Sequence, residues 1–349
     1  MLVNKKNVSD PIWSSEVNCR VVAEAGQCMR GSIGRAIEMA DIARSSGCWG
    51  FKVQLLKPET IASLDAPLYW DNDLGNKNQR EAFAKAGIIN YNDWKAVKDH
   101  CDKIGINFIA TPFDLEAVEA LEKIGCKYYK IASGDINYKD LIQAVANTHQ
   151  LLILSTGASE EDEIARALSW IDDDMRVILL ACSLAYPTKL DHAEIGRIQT
   201  LQQDFVPYIG YSDHTSDSRT ALACAALGSV MNEVHFDPFE DDGAVADTDM
   251  ALNEQGLIDY VQASTIGSIM RGTGLLSPTL FEKPASIGAR RSLYASRKIL
   301  SGTVFEKEDF VALRPGGNVE PWQSEVLIGC LVKQNYSEGD LIPTTELPK

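Results

Sequence analysis

Two of the chain's five histidines, His214 and His235, close two successive apolar runs, Tyr208–His214 and Val230–His235. If those runs are adjacent parallel strands, the two imidazoles stand close enough to share one divalent transition metal. The plainer alternative is that one or both only hydrogen-bond where they sit. Glu233 and His235 share parity on their run, so they point the same way. Lys52 and Gln54 share parity in the same manner, and Lys130 lies two runs further along. A lysine pointing inward is costly to bury alone, so each needs an anion. Glu24 is one candidate anion, and a phosphate or carboxylate of a substrate is another. Ser133, Ser155, Thr156 and Ser183 add hydroxyls at further run ends. Lysines and hydroxyls on neighbouring strands make a phosphate cradle. An internal Lys–Glu pair with solvated hydroxyls is the competing reading.

These residues need a scaffold that brings run ends together. Eight apolar runs are available: Arg20–Glu24, Phe51–Gln54, Asn107–Thr111, Tyr128–Ser133, Leu151–Thr156, Val177–Ser183, Tyr208–His214 and Val230–His235. A segment with helical spacing follows nearly every one: 33–47, 93–104, 115–124, 141–147, 160–171, 192–201, 216–227 and 252–272. Gly47, Gly105, Gly125 and Gly228 follow helical stretches as C-terminal caps do, and Asp114 and Ser159 are placed to cap N-termini. Eight strand–helix units predict an α/β fold, a (β/α)8 TIM barrel, whose chemistry sits at the C-terminal ends of the strands.

Two stretches break the alternation. The connection 55–92 is long and rich in Asp, Asn and aromatics (Tyr69, Trp70, Asp71, Asn72, Asp73), so it reads either as a lid or binding loop or as a surface insertion with short helices. After the barrel domain, 1–276, residues 277–290 read as a linker, and 291–349 as a small β-rich domain of short runs and turns. The net charge of −16 argues against nucleic acid as a partner, while a small anionic substrate remains compatible with locally gathered positive charge. No apolar run approaches a membrane span, and Met1–Ser15 lacks a secretory pattern. The eight cysteines form no C-x-x-C pair and read as reduced core thiols of a cytoplasmic protein. Gly26, Gly31 and Gly34 are not followed by a Lys-Ser/Thr pair, so they form no P-loop.

At these residues the chain resembles the sialic acid synthase family. The segments that carry the resemblance are Ala23-Glu24-Ala25-Gly26, Phe51-Lys52-Val53-Gln54, Ala110-Thr111-Pro112-Phe113-Asp114, Lys130-Ile131-Ala132-Ser133-Gly134-Asp135, Leu154-Ser155-Thr156-Gly157, Tyr186-Pro187-Thr188, Gly210-Tyr211-Ser212-Asp213-His214-Thr215 and His235-Phe236. Arg290–Ala295, Leu313–Gly317 and Ile328-Gly329 resemble the antifreeze-like (SAF) domain of those synthases. The resemblance implies condensation of phosphoenolpyruvate with an N-acetylated amino hexose, typically N-acetylmannosamine, to a nine-carbon sugar acid and phosphate. It implies Mn²⁺ or Mg²⁺ on His214 and His235, and Glu24 or Asp135 handling the cation or proton at the reacting carbon. Lys52, Lys130, Thr111, Ser133 and Ser155 would hold phosphoenolpyruvate, with Ser183 and Ser212 as further substrate-binding hydroxyls. Gln54, Tyr186 and Asp247 match sugar-contacting positions. Arg314 matches a tail arginine that reaches the neighbouring subunit's site, which implies a domain-swapped homodimer.

The chain also departs from that pattern. Cys28-Met29-Arg30-Gly31 replaces Asn-His-x-Gly, Leu184 replaces a polar residue, Ala181 replaces a histidine, and Asp247-Thr248-Asp249-Met250-Ala251 replaces Asp-His-x-x-Ser. Three explanations compete: a modified sugar (diacetamido, deoxy or phosphorylated), a related condensation with another aldehyde, or a homologue that only binds ligand. A Schiff-base aldolase using Lys130, and a sugar-acid sensor built on the tail, are the rival functions.

Overall fold

The computed structural model describes residues 19–70, 74–172, 175–205, 208–239 and 245–348. The Asp71–Asp73 part of the long connection and the leader-free reading of Met1–Ser15 lie outside the described residues. The chain divides into two compact units, Met1–Thr273 and Gly274–Lys349.

The first unit is a closed barrel of eight parallel strands in sequence order. They are β1 (Arg20–Glu24), β2 (Gly50–Leu55), β3 (Asn107–Pro112), β4 (Tyr128–Ile131), β5 (Leu151–Ser155), β6 (Val177–Cys182), β7 (Ile209–Asp213) and β8 (Met231–His235). Pairing of β8 with β1, Glu24 opposite His235, closes the ring. Every expected strand is present, with ends that differ by one or two residues. Helices α1 (Ile33–Ser45), α2 (Pro58–Ile61), α3 (Gln79–Lys85), α4 (Trp94–Ile104), α5 (Leu115–Lys123), α6 (Lys139–Ala146), α7 (Glu161–Leu168), α8 (Arg197–Asp204), α9 (Ser218–Ala226) and α10 (Glu254–Arg271) follow the strands.

Alternation along each strand sorts the side chains into two cores. Val22, Ile109, Leu151, Ile153, Ile178, Leu180 and Met231 belong to one buried cluster. Their intervening neighbours, such as Val21, Phe51, Phe108, Leu152, Leu179 and Val234, pack with the helices in the other. The first cluster tolerates no extra bulk at Gly210, where a Cβ would stand 2.4 Å from Leu180 Cδ2 and 2.4 Å from the Met231 carbonyl. Toward the C-terminal ends, the same strand faces carry Glu24, Lys52, Lys130 and Glu233.

Local signals act as their chemistry requires. Asp114 caps α5 by accepting from the Ala117 N–H at 2.8 Å. Gly47, Gly105, Gly125 and Gly228 all take positive φ after their helices. Ser159 does not cap α7: its hydroxyl donates to the Gly157 carbonyl. Glu160 takes that place, with Glu163 bonding back to its N–H in a capping box. The carboxylate reaches further than the serine, so the cap falls one residue later.

The second unit holds α11 (Lys283–Gly288), the antiparallel pair β9 (Ser292–Ala295) and β10 (Phe310–Leu313), and α12 (Ser324–Leu327). Its own core includes Leu293, Phe305, Val319, Leu327, Tyr336 and Ile342. Part of the stretch expected as a linker is helical and tied in, since the Gly316 N–H donates to the Ile287 carbonyl at 2.8 Å.

Candidate active site

The C-terminal mouth of the barrel opens into a cavity of about 310 Å³. Its floor is the layer of side chains directly above the apolar barrel core. Glu233 on β8 sits at the centre of that floor. Its Oε1 lies 3.4 Å from Lys52 Nζ on β2 and 3.7 Å from Lys130 Nζ on β4, and accepts from Ser212 on β7 at 3.1 Å. Lys52 also pairs with Glu24 Oε2 at 2.9 Å and donates to Thr111 at 3.4 Å. Gln54 donates to Glu24 Oε1 at 2.7 Å. Four strand ends are thereby cross-linked by charge in a water-poor site.

The balance of burial and pairing differs from group to group. Burial pushes Glu233 up, but Lys130 and Lys52 outweigh it and hold it down to about 2. Glu24 is also pushed up by burial, and one lysine does not compensate, so it rises to about 7. Burial pulls Lys52 down, yet Glu233 and Glu24 leave it raised. Lys130, whose one ion-pair partner among the described residues is Glu233, ends below its ordinary value because burial wins.

The two histidines stand beside this floor with ring centroids 5.6 Å apart. His214 Nδ1 lies 2.8 Å from the Ser183 carbonyl, which can only accept, so Nδ1 carries a proton in either charge state and Nε2 is an acceptor only in the neutral ring. Burial would lower its pKa, but the Cys182 thiol beside it and that carbonyl raise it to about 9. His235 is pulled down to about 4, mainly by burial, and Nδ1 has no hydrogen-bond partner. Asp247 Oδ2 lies 3.7 Å from that nitrogen and accepts from the Gln27 N–H at 2.7 Å. Among the described residues no group of three or more His, Cys, Asp or Glu is arranged to hold a metal. What is present is a pair of imidazoles whose remaining ligands would have to come from elsewhere.

Most of the sequence-predicted residues meet here. Lys52, Gln54, Thr111, Lys130, Ser133, Asp135, Ser155, Tyr186, Ser212, His214, His235 and Asp247 line the cavity. Ser133 accepts from the Gly157 N–H at 2.9 Å, and the Ser155 hydroxyl is buried with no partner. Asp135 is pushed up to about 6 by burial, with Lys130 opposing.

Three expectations are corrected. Glu24 is fully buried beneath Lys52 and Gln54 and does not line the cavity. Ser183 faces away, its hydroxyl donating to the His192 carbonyl at 2.7 Å, because Cys182 takes the inward position on β6 and alternation turns the next residue out. Thr156 is turned away for the same reason, following Ser155, and donates to the Leu180 carbonyl. Arg314 lies exposed on the second unit, directly after β10.

The departures from the family pattern sort themselves as sharply. Ala181 belongs to the helix-side core, as does Cys28. Arg30 pairs with Asp237 at 2.8 Å, and Thr248 accepts from the Val245 N–H. Of the departing positions, Leu184 alone lines the cavity.

Sequence reasoning missed Glu233 as a floor residue. The signal was available, since it shares parity with His235 and the two lysines needed an anion. The binding-loop reading of the long connection named Tyr69 and Trp70 but not Phe83. Trp70 packs edge-on to Tyr69 at 4.7 Å, Tyr69 contacts Tyr186 at 5.9 Å, and Trp70 contacts Phe83 at 6.0 Å. Tyr69, Trp70 and Phe83 come from the long connection after β2, which therefore carries short helices and also walls the cavity.

The family model described as the NeuB family matches residues 39–275. The chain belongs to this family of sialic acid synthases. It is 30% identical to the N,N'-diacetyllegionaminic acid synthase of Campylobacter jejuni, over 92% of this chain and 98% of that protein. It is 27% identical to the enzyme of the same name from Legionella pneumophila, over 93% of each. The crystal structure of the N-acetylneuraminic acid synthetase of Leptospira borgpetersenii, in complex with citrate, superposes with a TM-score of 0.68 at 27% identity, over 77% of this chain and 90% of that one. The Leptospira structure shares the fold on which the present cavity is built. No helix among the described residues is long and apolar enough to cross a membrane.

Proposed function

We propose that this NeuB-family protein condenses phosphoenolpyruvate with an N-acetylated amino hexose to give a nine-carbon sugar acid and phosphate. The observation that carries this reading is the convergence of two lysines, four hydroxyls and two imidazoles around one cavity. The names of the relatives, synthases of diacetyllegionaminic and N-acetylneuraminic acids, support the same product class.

In this reading Lys52, Lys130, Thr111, Ser133, Ser155 and Ser212 bind the phosphate and carboxylate of phosphoenolpyruvate. Ser155, whose hydroxyl has no internal partner, donates to it. A polyanion beside Lys130 favours the charged amine and opposes the burial that lowers it. Gln54, Tyr186 and Asp247 orient the sugar so that its aldehyde faces carbon 3 of the enolpyruvate. That carbon bonds to the aldehyde carbon, and the aldehyde oxygen takes a proton to become a hydroxyl. Water adds to carbon 2 and gives up a proton, and phosphate leaves by C–O cleavage. Glu24, held near 7, acts through Gln54 and Lys52, while Asp135 lines the cavity directly and can take the proton of the attacking water.

His214 and His235 would hold a divalent cation, Mn²⁺ or Mg²⁺. The donor set fits: His235 is held neutral with Nδ1 unpartnered, and His214 presents a free Nε2 once it gives up its extra proton. A bound cation supplies Lewis-acid polarisation of the aldehyde oxygen. In a swapped dimer Arg314 of the second, SAF-like unit would complete the sugar site of the partner chain. The enzyme acts in the cytoplasm, where its eight free cysteines, seven of them buried, stay reduced.

The test is phosphate release from phosphoenolpyruvate with Mn²⁺ across a panel of amino sugars, with mass spectrometry of the product. Sugar-dependent release of phosphate with a nine-carbon acid is the expected result. Absence of release with every sugar, from folded and metal-loaded protein, overturns it. The lowered Lys130 amine also favours one rival, a Schiff-base aldolase. Borohydride trapping on Lys130 would establish that rival. Full inhibition by EDTA without trapping would exclude it.

A further inference from the structure

The two imidazoles at the barrel mouth are held very differently. His235 Nδ1 is buried without a hydrogen-bond partner. His214 is fixed from two directions. In front, its Nδ1–H donates to the Ser183 carbonyl at 2.8 Å, and the Tyr186 ring lies against its own with centroids 4.3 Å apart. Thr188, on the same loop after β6, ties that loop to the end of β7. Its N–H donates to the His214 carbonyl at 2.9 Å. Its hydroxyl lies 2.8 Å from the Ala185 carbonyl and 3.3 Å from the Ser183 carbonyl. The oxygen that orients the imidazole is therefore itself oriented.

The second tie comes from behind the strand. Ser212 and His214 line the cavity, so alternation sends Asp213 to the helix side of β7. Asp213 is fully buried there, and both its oxygens meet neutral donors. Oδ1 accepts from the Thr215 N–H at 2.7 Å, and Oδ2 accepts from the Tyr260 hydroxyl of α10 at 2.9 Å. The Thr215 hydroxyl in turn donates to Thr220 in α9 at 2.9 Å. A carboxylate sealed among neutral donors is costly, and packing alone would be served better by an apolar side chain. What the carboxylate does here is bridge. It fastens the turn that carries His214 to the outer helices α9 and α10. A metal bond tolerates errors of only about 0.2 Å, so the setting of that turn decides whether the ring nitrogen is usable.

Building on the metal-holding role proposed above for His214 and His235, we propose that Asp213 and Thr188 are positioning residues that set the His214 imidazole for its cation. Asp213 acts through the backbone behind the ring, with Tyr260 holding the carboxylate. Thr188 acts through the carbonyl in front of it. Removing such outer partners of a metal-binding histidine costs about 10- to 100-fold in affinity, which sets the expected scale.

The experiment measures Mn²⁺ affinity of the full chain by calorimetry, KM for phosphoenolpyruvate at saturating Mn²⁺, and metal-free crystal structures of the variants. Asp213→Ala and Thr188→Val should weaken Mn²⁺ binding about 10- to 100-fold, while KM for phosphoenolpyruvate stays the same. Asp213→Asn keeps an acceptor for the Thr215 N–H, and Thr188→Ser keeps the hydroxyl, so both should restore most of the affinity. Tyr260→Phe should weaken binding in the same direction, and it stands in if Asp213→Ala fails to fold. Folded Asp213→Ala, Tyr260→Phe and Thr188→Val proteins that bind Mn²⁺ as the wild type does overturn the inference. So does an equal loss in the Asn and Ser variants, because the retained hydrogen bonds would then be irrelevant. If the wild type binds no Mn²⁺, the metal reading has failed, and the crystal structures alone decide the positioning role. A His214 ring that leaves the Ser183 carbonyl in Thr188→Val and Tyr260→Phe supports that role. A ring that stays in place in both sinks it.

Discussion

The floor and the wall of this cavity are built on opposite principles. The floor consists of strand-end residues on β2, β3, β4, β5, β7 and β8, held by one another's charges around Glu233. The wall comes largely from one long connection and is held by ring packing among Tyr69, Trp70 and Phe83. Charges on adjacent strands are positioned by the hydrogen-bonded ladder itself, so their geometry is stiff and suits bond-making. Packed rings on a connection can be exchanged without disturbing the ladder, which suits choice of substrate. The difference teaches that reaction and selectivity can be separated in one cavity, by secondary structure rather than by distance.

That division can be broken from the floor side first. Replacing His235 with Ala should lower kcat on the order of 10³-fold, because Lewis-acid assistance is worth several kcal/mol. The circular dichroism spectrum should not change. Equal turnover in His235→Ala and the wild type would remove the imidazole pair from the chemistry. Glu233→Leu tests the charge lattice. It strips Lys130 of the one carboxylate within ion-pair distance among the described residues and should cost about 3–5 kcal/mol by urea unfolding. A loss under 1 kcal/mol would mean that water or rotation of Lys130 already relieves the charge.

The wall should respond differently. Trp70→Ala should raise KM for the sugar about ten-fold, from lost ring packing and apolar contact, while KM for phosphoenolpyruvate stays the same. A matching rise in both constants would show that wall and floor are not independent. The smallest effect concerns pH. Asp135 is raised to about 6 in the fold against 3.8 as its ordinary value, so the folded state binds its proton more tightly than the unfolded chain. Its contribution is therefore fully present below about pH 4 and is lost as pH rises through about 6. Asp135→Asn should flatten the stability–pH curve in that window. Glu233, lowered to about 2, works in the other direction, with stability that is lost as pH falls below about 4.

The route from sequence to site was uneven, and particular residues show why. Glu24 was legible as an anion for Lys52 but not as a residue sealed beneath it, because depth below a cavity floor depends on what the neighbouring strand lays over it. Ser183 looked equivalent to Ser155, yet one residue of difference in where the strand ends turns it to the opposite face. Ala181 and Cys28 looked like losses from the site and instead belong to the helix-side core.

By itself the sequence determined the eight-fold alternation, the strand ends, several helix caps and which residue types stand at the mouth. Those features depend on contacts between residues near each other in the chain, through periodicity, capping and backbone preference. Only the tertiary structure decided that Glu233 binds both lysines, that Leu184 alone among the altered positions reaches the cavity, and that Tyr69, Trp70 and Phe83 wall it. Each of these depends on closing the ring, which sets side chains from strands far apart in sequence within a few ångströms of one another. No local pattern records which of them will meet.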